Sequence, residues 1–239
     1  VWELEASTRH LKLSINVNPD SEEYKKYYYE IERQLMDSCK SIKNVVGMNN
    51  KEGIKSVSNN SKAIQEYNKG NKFLRADNYK SALPYYETAV KIDPEFVFAW
   101  DNIGVCNRKL GNLDKALQAY ETSLKLEPNG ILPLQNIPLV YVAKEEYEKA
   151  IESYKKLSTT DNNNPEIYYG IGLIYFEHLN EYEKSLDNMC KAYNLYIKQK
   201  SAFRTDAEKV ISMIYSELKK QGKENKFNEI LKSNNINQD

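Results

Sequence analysis

Very few side chains in this 239-residue chain have the type and spacing for covalent chemistry. Its two histidines, His10 and His178, are separated by most of the chain, and neither has a serine or cysteine in a nucleophile motif beside it. Gly170-x-Gly172 is a fragment of a phosphate loop, but no strand pattern precedes it and it falls inside a helical one. The carboxylates Glu145 with Glu146, and Glu181 with Glu183, stand at expected helix ends, where they complement the helix dipole. Cys39, Cys106 and Cys190 are odd in number, far apart and free of any C-x-x-C pairing, so they read as small buried hydrophobes. The sequence therefore predicts no catalytic residue, no metal and no cofactor: a protein that is not an enzyme.

Composition narrows the partners. Hydrophobic residues make up 41% and aromatics 11%, which is ordinary for a folded core. Lys+Arg and Asp+Glu are both 34, so there is no net charge to draw in nucleic acid or anionic lipid. No apolar run is long enough to span a bilayer, and VWELEASTRH lacks the basic-then-apolar order of a signal peptide. Because the chain opens on Val1, we expect that a preceding segment was removed, which leaves a cytoplasmic or a periplasmic location open.

What the chain does carry is a repeat, and the repeat must position any binding residues. Sliding the sequence against itself by 34 residues aligns Ala82, Ala116 and Ala150; Tyr86, Tyr120 and Tyr154; and Tyr79, Leu113 and Tyr147. Gly70 and Gly104 take equivalent places, and Pro94 and Pro128 close the first two units. Small residues belong where two antiparallel helices approach closest, with Gly70 expected to face Ala82, while aromatics fill the gaps and Asp-Pro or Glu-Pro ends the second helix. These residues resemble the tetratricopeptide repeat, a 34-residue helix-turn-helix. The resemblance implies an all-α, right-handed solenoid with units over 63–94, 97–128, 131–164 and 165–197.

Two features depart from the family pattern. Pro138 replaces the small residue of the third unit, so the carbonyl of Leu134 should lose its usual donor. In the fourth unit Ser185, Met189 and Ala192 arrive one residue late, which predicts an insertion in the inter-helix turn near His178 to Tyr182. Beyond the repeats, Thr205 with Glu208 reads as a capping box, opening a capping helix over 201–222 that Gly222 ends. A short helix and polar tail follow over 223–239. Ahead of the repeats, 1–46 form an N-terminal segment with a strand pattern over 11–17 and a helix over 21–43, joined through a polar linker over 47–62.

In this family the inner face of the solenoid comes from the first helix of each unit. Asn68, Asn102 and Asn136 fall there, 34 residues apart, where asparagines in some members hold the backbone of an extended peptide. The family's carboxylate clamp also needs three basic residues. Asn71 and Asn102 fit its asparagine positions, but Tyr67, Leu132 and Asn136 stand at its basic positions, so that clamp is not expected. The groove is instead expected to be lined by Tyr67, Phe98, Leu132, Leu139, Tyr169, Leu173 and Phe176, with Arg75, Arg108 and Lys109 at one rim. The functional expectation is a scaffold that binds an extended or helical protein segment without inserting into a membrane. The alternatives are a self-association module of a homodimer or larger homo-oligomer, and an accessory region of a larger enzyme or envelope protein.

Overall fold

The structure is a computed structural model that describes residues 58–236. The strand expected over 11–17, the helix over 21–43 and the linker up to residue 57 lie outside the described residues. All secondary structure among the described residues is helical. Four helix pairs follow one another: α1 (Ser61–Leu74) with α2 (Tyr79–Ile92), α3 (Val97–Lys109) with α4 (Leu113–Leu126), α5 (Ile131–Ala143) with α6 (Tyr147–Thr160), and α7 (Pro165–Leu173) with α8 (Tyr182–Lys198). Two more helices, α9 (Arg204–Lys220) and α10 (Glu224–Ser233), close the stack. Each second helix packs on its own first helix and on the first helix of the next pair, which builds an all-α solenoid.

The 34-residue period is a packing period. Ala82, Ala116 and Ala150 are fully buried, and the rings of Tyr86, Tyr120 and Tyr154 sit beside them in the core. Ser185 takes the alanine place in the fourth pair, and its hydroxyl is satisfied by donating to the Gly172 carbonyl at 2.8 Å. In the first two pairs the small residue of the first helix lies nearest an aromatic ring, where the alanine was expected, and in the fourth Gly172 lies nearest Met189. A Cβ on Gly70 would lie 2.8 Å from the Tyr86 ring, and one on Gly104 would lie 2.3 Å from the Tyr120 ring. In the third pair that place is taken by the buried Pro138, through which α5 continues unbroken. There the Tyr154 ring instead meets Gly170 of α7, whose Cβ would lie 2.6 Å from it.

The four inter-helix turns share one geometry. Asp77, Gly111, Glu145 and Asn180 each adopt a left-handed φ just before the second helix begins. The first three are 34 residues apart, and Asn180 is 35 beyond Glu145. The extra residue is thus not in the turn itself. It is absorbed by a π-helical turn, Ile174–His178, that extends α7, with the Leu179 N–H donating to the Ile174 carbonyl at 3.2 Å.

The capping box at Thr205 does not form. Helix α9 begins one residue earlier, at Arg204, so Thr205 lies inside the first turn and its hydroxyl donates back to the Ala202 carbonyl at 3.0 Å. Glu208 faces the Tyr193 hydroxyl of α8 instead. The other end behaves as expected: Gly222 has φ +68°, and the N–H groups of Gly222 and Lys223 cap the carbonyls of Lys219 and Leu218.

Candidate peptide-binding face

The face presented by the first helices α1, α3, α5 and α7 is where the predicted binding residues fall, and the structure gives each a distinct setting. Tyr67 of α1 packs its ring 4.8 Å from Phe96 and 5.5 Å from Tyr86, and burial pushes its phenol pKa up. Asn68 is exposed and Asn71 half-buried. Tyr86 Oη donates to Asn71 Oδ1 at 2.7 Å. On α3, Asn102 Nδ2 donates to Tyr67 Oη at 3.2 Å and to Asn71 Oδ1 at 3.4 Å. Four side chains from α1, α2 and α3 thus form one polar network between the first two pairs.

The three asparagines of the 34-residue series are not alike. Asn102 and Asn136 are only 9% and 6% exposed, although both fall on the stripe expected to meet a bound peptide. Asn102 is held by the network just described. Asn136 Nδ2 donates to the Leu132 carbonyl one turn back at 2.8 Å, so its amide serves its own helix. The period aligns the backbones, and local partners then decide what each amide does. Leu139 is half-buried in the core that α5 shares with α6 and α7. Tyr169 packs edge-on to Tyr196 at 6.4 Å, and burial, with the carboxylates of Asp206, Glu166 and Glu177, pushes its phenol up to about 12.

Apolar side chains are left open at the start of α3 and α5. Phe98 is 40% exposed, Leu132 37% and Ile131 39%. Toward the other end of α3, Arg108 is half-buried and its Nε has no hydrogen-bond partner among the described residues.

Two residues of this region were not singled out as site residues in the sequence. Asp101 is buried, accepts a hydrogen bond from Ser123 Oγ at 2.6 Å, and has its carboxyl pushed up to about 6 by burial. Glu127 acts in the same direction, while the Ser123 bond opposes it. Tyr120 is fully buried, and burial pushes its phenol up while the Arg108 guanidinium, hydrogen-bonded to its hydroxyl, opposes the push. The visible signal for the first was a carboxylate at a place where the preceding unit has Tyr67. For the second, no signal separated its hydroxyl from that of Tyr86.

Elsewhere, Cys106 and Cys190 are buried, and burial pushes both thiols up to about 12. No group of three or more metal-ligating side chains occurs among the described residues, and none of their helices is long and apolar enough to cross a membrane. An open cleft of about 400 Å³ lies between α6 and α8, where Lys184 and Lys191 are already held by Glu181 and Asp187.

Three family models match in sequence: tetratricopeptide repeat over residues 67–96, tetratricopeptide repeat over 97–129, and TPR repeat over 139–178. No curated protein matches the chain. Among solved structures, MamA residues 41 to the end from Desulfovibrio magneticus RS-1 is similar with a TM-score of 0.60 at 18% identity, over 74% of this chain and 95% of that one. A tetratricopeptide repeat protein from Parabacteroides merdae ATCC 43184 is similar with a TM-score of 0.57 at 22% identity, over 73% of this chain and 67% of that one. With the helix pairs, the 34-residue packing period and these matches together, the chain carries tetratricopeptide repeats over residues 67–96, 97–129 and 139–178.

Proposed function

We propose that the chain is a noncatalytic scaffold that holds an extended or helical segment of a partner protein along the face formed by α1, α3, α5 and α7. Its fold is one of helical repeats that display surfaces for protein interaction, and the finer reading rests on one observation. Phe98 and Leu132, 34 residues apart at the start of adjacent first helices, are 40% and 37% exposed. Covering a large apolar side chain contributes about 1.5 to 3 kcal/mol, so a partner that supplies apolar anchors gains most at these two positions.

The rest of the face would orient the segment. Asn102 has both amide N–H groups committed to Tyr67 and Asn71, so what it offers a bound backbone is its acceptor oxygen. The exposed Asn68 retains both its donor and its acceptor. Tyr67, Asn71, Asn136, Leu139 and Tyr169 form the floor, and Arg108 the charged end.

The test is a photo-crosslinking residue placed singly at Phe98, at Leu132 and at the outward-facing Glu121 of α4, in the full chain and in lysate of the native organism. The expected result is a shared protein adduct at 98 and 132 that is absent at 121. Adducts at 121 alone would overturn the reading, and an adduct whose mass is that of a second copy would replace the partner with self-association.

A further inference from the structure

Two rows of side chains cross the face formed by the first helices, and both change character from one end to the other. The first row, one residue from each helix at intervals of 34, is Ile64, Phe98, Leu132 and Glu166. It runs apolar through the open pair Phe98 and Leu132 and then ends on a carboxylate in the first turn of α7. The second row, at the opposite ends of the helices, begins with Arg75, Lys109 and Ala143, all exposed. Helix α5, in the middle of the face, has no charged residue in its 13 positions.

The π-helical turn decides how the second row ends. Counting 34 from Ala143 reaches Glu177, yet the ring stacked on Tyr147 at 4.4 Å is that of His178. Two repeats earlier it is Lys109 Nζ that lies over the equivalent Tyr79, 6.0 Å from the ring centre. His178 therefore takes the place that Lys109 holds, and Glu177 is the surplus residue of the fourth pair. Glu177 is exposed, in no ion pair among the described residues, and within electrostatic reach of Tyr169 on the inner face. Glu166, also within reach of Tyr169, accepts from Tyr196 Oη at 2.7 Å, a neutral donor that leaves its charge in place. Neither α7 nor the turn holds a Lys or Arg to neutralise these carboxylates. On α3 the carboxylate Asp101 is buried and turned to Ser123. The face is thus positive at the ends of α1 and α3, uncharged at α5 and negative at α7.

A charged segment laid across such a face meets complementary charge in one orientation and like charge in the other. We infer that the face takes a segment with a Lys or Arg on one side of its apolar residues, the apolar residues covering Phe98 and Leu132 and the cation lying over α7 with Glu166 and Glu177. Arg75 and Lys109 repel a cation from the other end, so the basic side of the segment fixes its orientation.

The inference rests on the groove reading proposed above, and the experiment keeps the two apart. Random dodecapeptides displayed on phage are selected on the immobilised full chain and sequenced. The expected sequences hold an apolar pair with Lys or Arg on one side of it, the basic residues enriched about threefold or more over the library. In the Glu166→Gln, Glu177→Gln double variant, whose amide at 166 can still accept from Tyr196 Oη, the basic enrichment should be lost and the apolar pair retained. The Glu121→Gln, Glu152→Gln variant, altered at exposed places on α4 and α6, has the same net charge and should retain both. Absence of basic enrichment on the wild type, its survival in the first variant, or an equal loss in the second would overturn the charge reading. If the apolar pair is then still selected and disappears in Phe98→Ser, Leu132→Ser, the groove reading stands alone. An apolar pair that survives that variant, or no enriched sequence at all, overturns both.

Discussion

Asn102 of α3 donates its side-chain amide to the hydroxyl of Tyr67 on α1 at 3.2 Å, so a residue placed by its spacing in a ligand-binding series is also a bond between two repeats. Replacing Asn102 with Ala takes its donor from Tyr67 Oη and leaves Asn71 Oδ1 with Tyr86 alone, at a cost of about 1 to 3 kcal/mol. Asn68→Ala, at the equivalent but exposed place in the first pair, should change stability by less than about 0.5 kcal/mol. Urea unfolding of the two variants decides this, and equal losses would contradict the structural role of Asn102.

The hydroxyls of Tyr86 and Tyr120 have a neutral and a charged partner, and their deletion should cost accordingly. Tyr86→Phe removes the bond to Asn71 and should cost about 0.5 to 1.5 kcal/mol. Tyr120→Phe removes a buried hydroxyl that is the partner of the Arg108 guanidinium and should cost about 1.5 to 3 kcal/mol. Thermal melts of the pair read this directly.

Gly104 is irreplaceable for steric reasons, because even a Cβ would come within 2.3 Å of the Tyr120 ring. Gly104→Leu should cost about 1 to 3 kcal/mol or more through forced displacement of that ring. A melting temperature equal to wild type would show that the ring can move freely, against the packing described.

Asp101 makes stability depend on pH in a definite direction. Its folded pKa is raised from 3.8 to about 6, so its contribution is complete below the unfolded value and is lost as pH rises through the folded one. The gap of about two units corresponds to about 2 to 3 kcal/mol. Asp101→Asn should therefore gain stability over wild type between pH 4 and pH 7, with the difference level above that. Chemical denaturation at pH 4, 6 and 8 measures it, and a difference independent of pH would contradict the assignment.

The repeating core was legible because Ala82, Ala116 and Ala150, with their tyrosines, are set by a backbone period that the sequence displays openly. Finer features were misplaced where one residue had two physically acceptable settings. The extra residue of the fourth pair could lengthen a turn or bulge a helix, and the left-handed turn at Asn180 keeps its geometry by pushing the surplus into Ile174–His178. Thr205 could cap α9 or join it, and an earlier start at Arg204 took the second option. The candidate face was legible as a list of helix positions but not as chemistry. Spacing put Asn102 and Asn136 on one stripe, while their burial depends on Tyr67, Asn71 and Leu132, whose approach is a property of packing.

The central claim is that partner binding runs through the open apolar pair of α3 and α5. The most direct measurement is calorimetric titration of the partner segment recovered by crosslinking against wild type and against the Phe98→Ser, Leu132→Ser double variant, each first checked by its thermal melt. The account predicts an intact fold with affinity reduced about tenfold or more, since each exposed side chain can contribute about 1.5 kcal/mol when covered. Unchanged affinity in a folded double variant would contradict it.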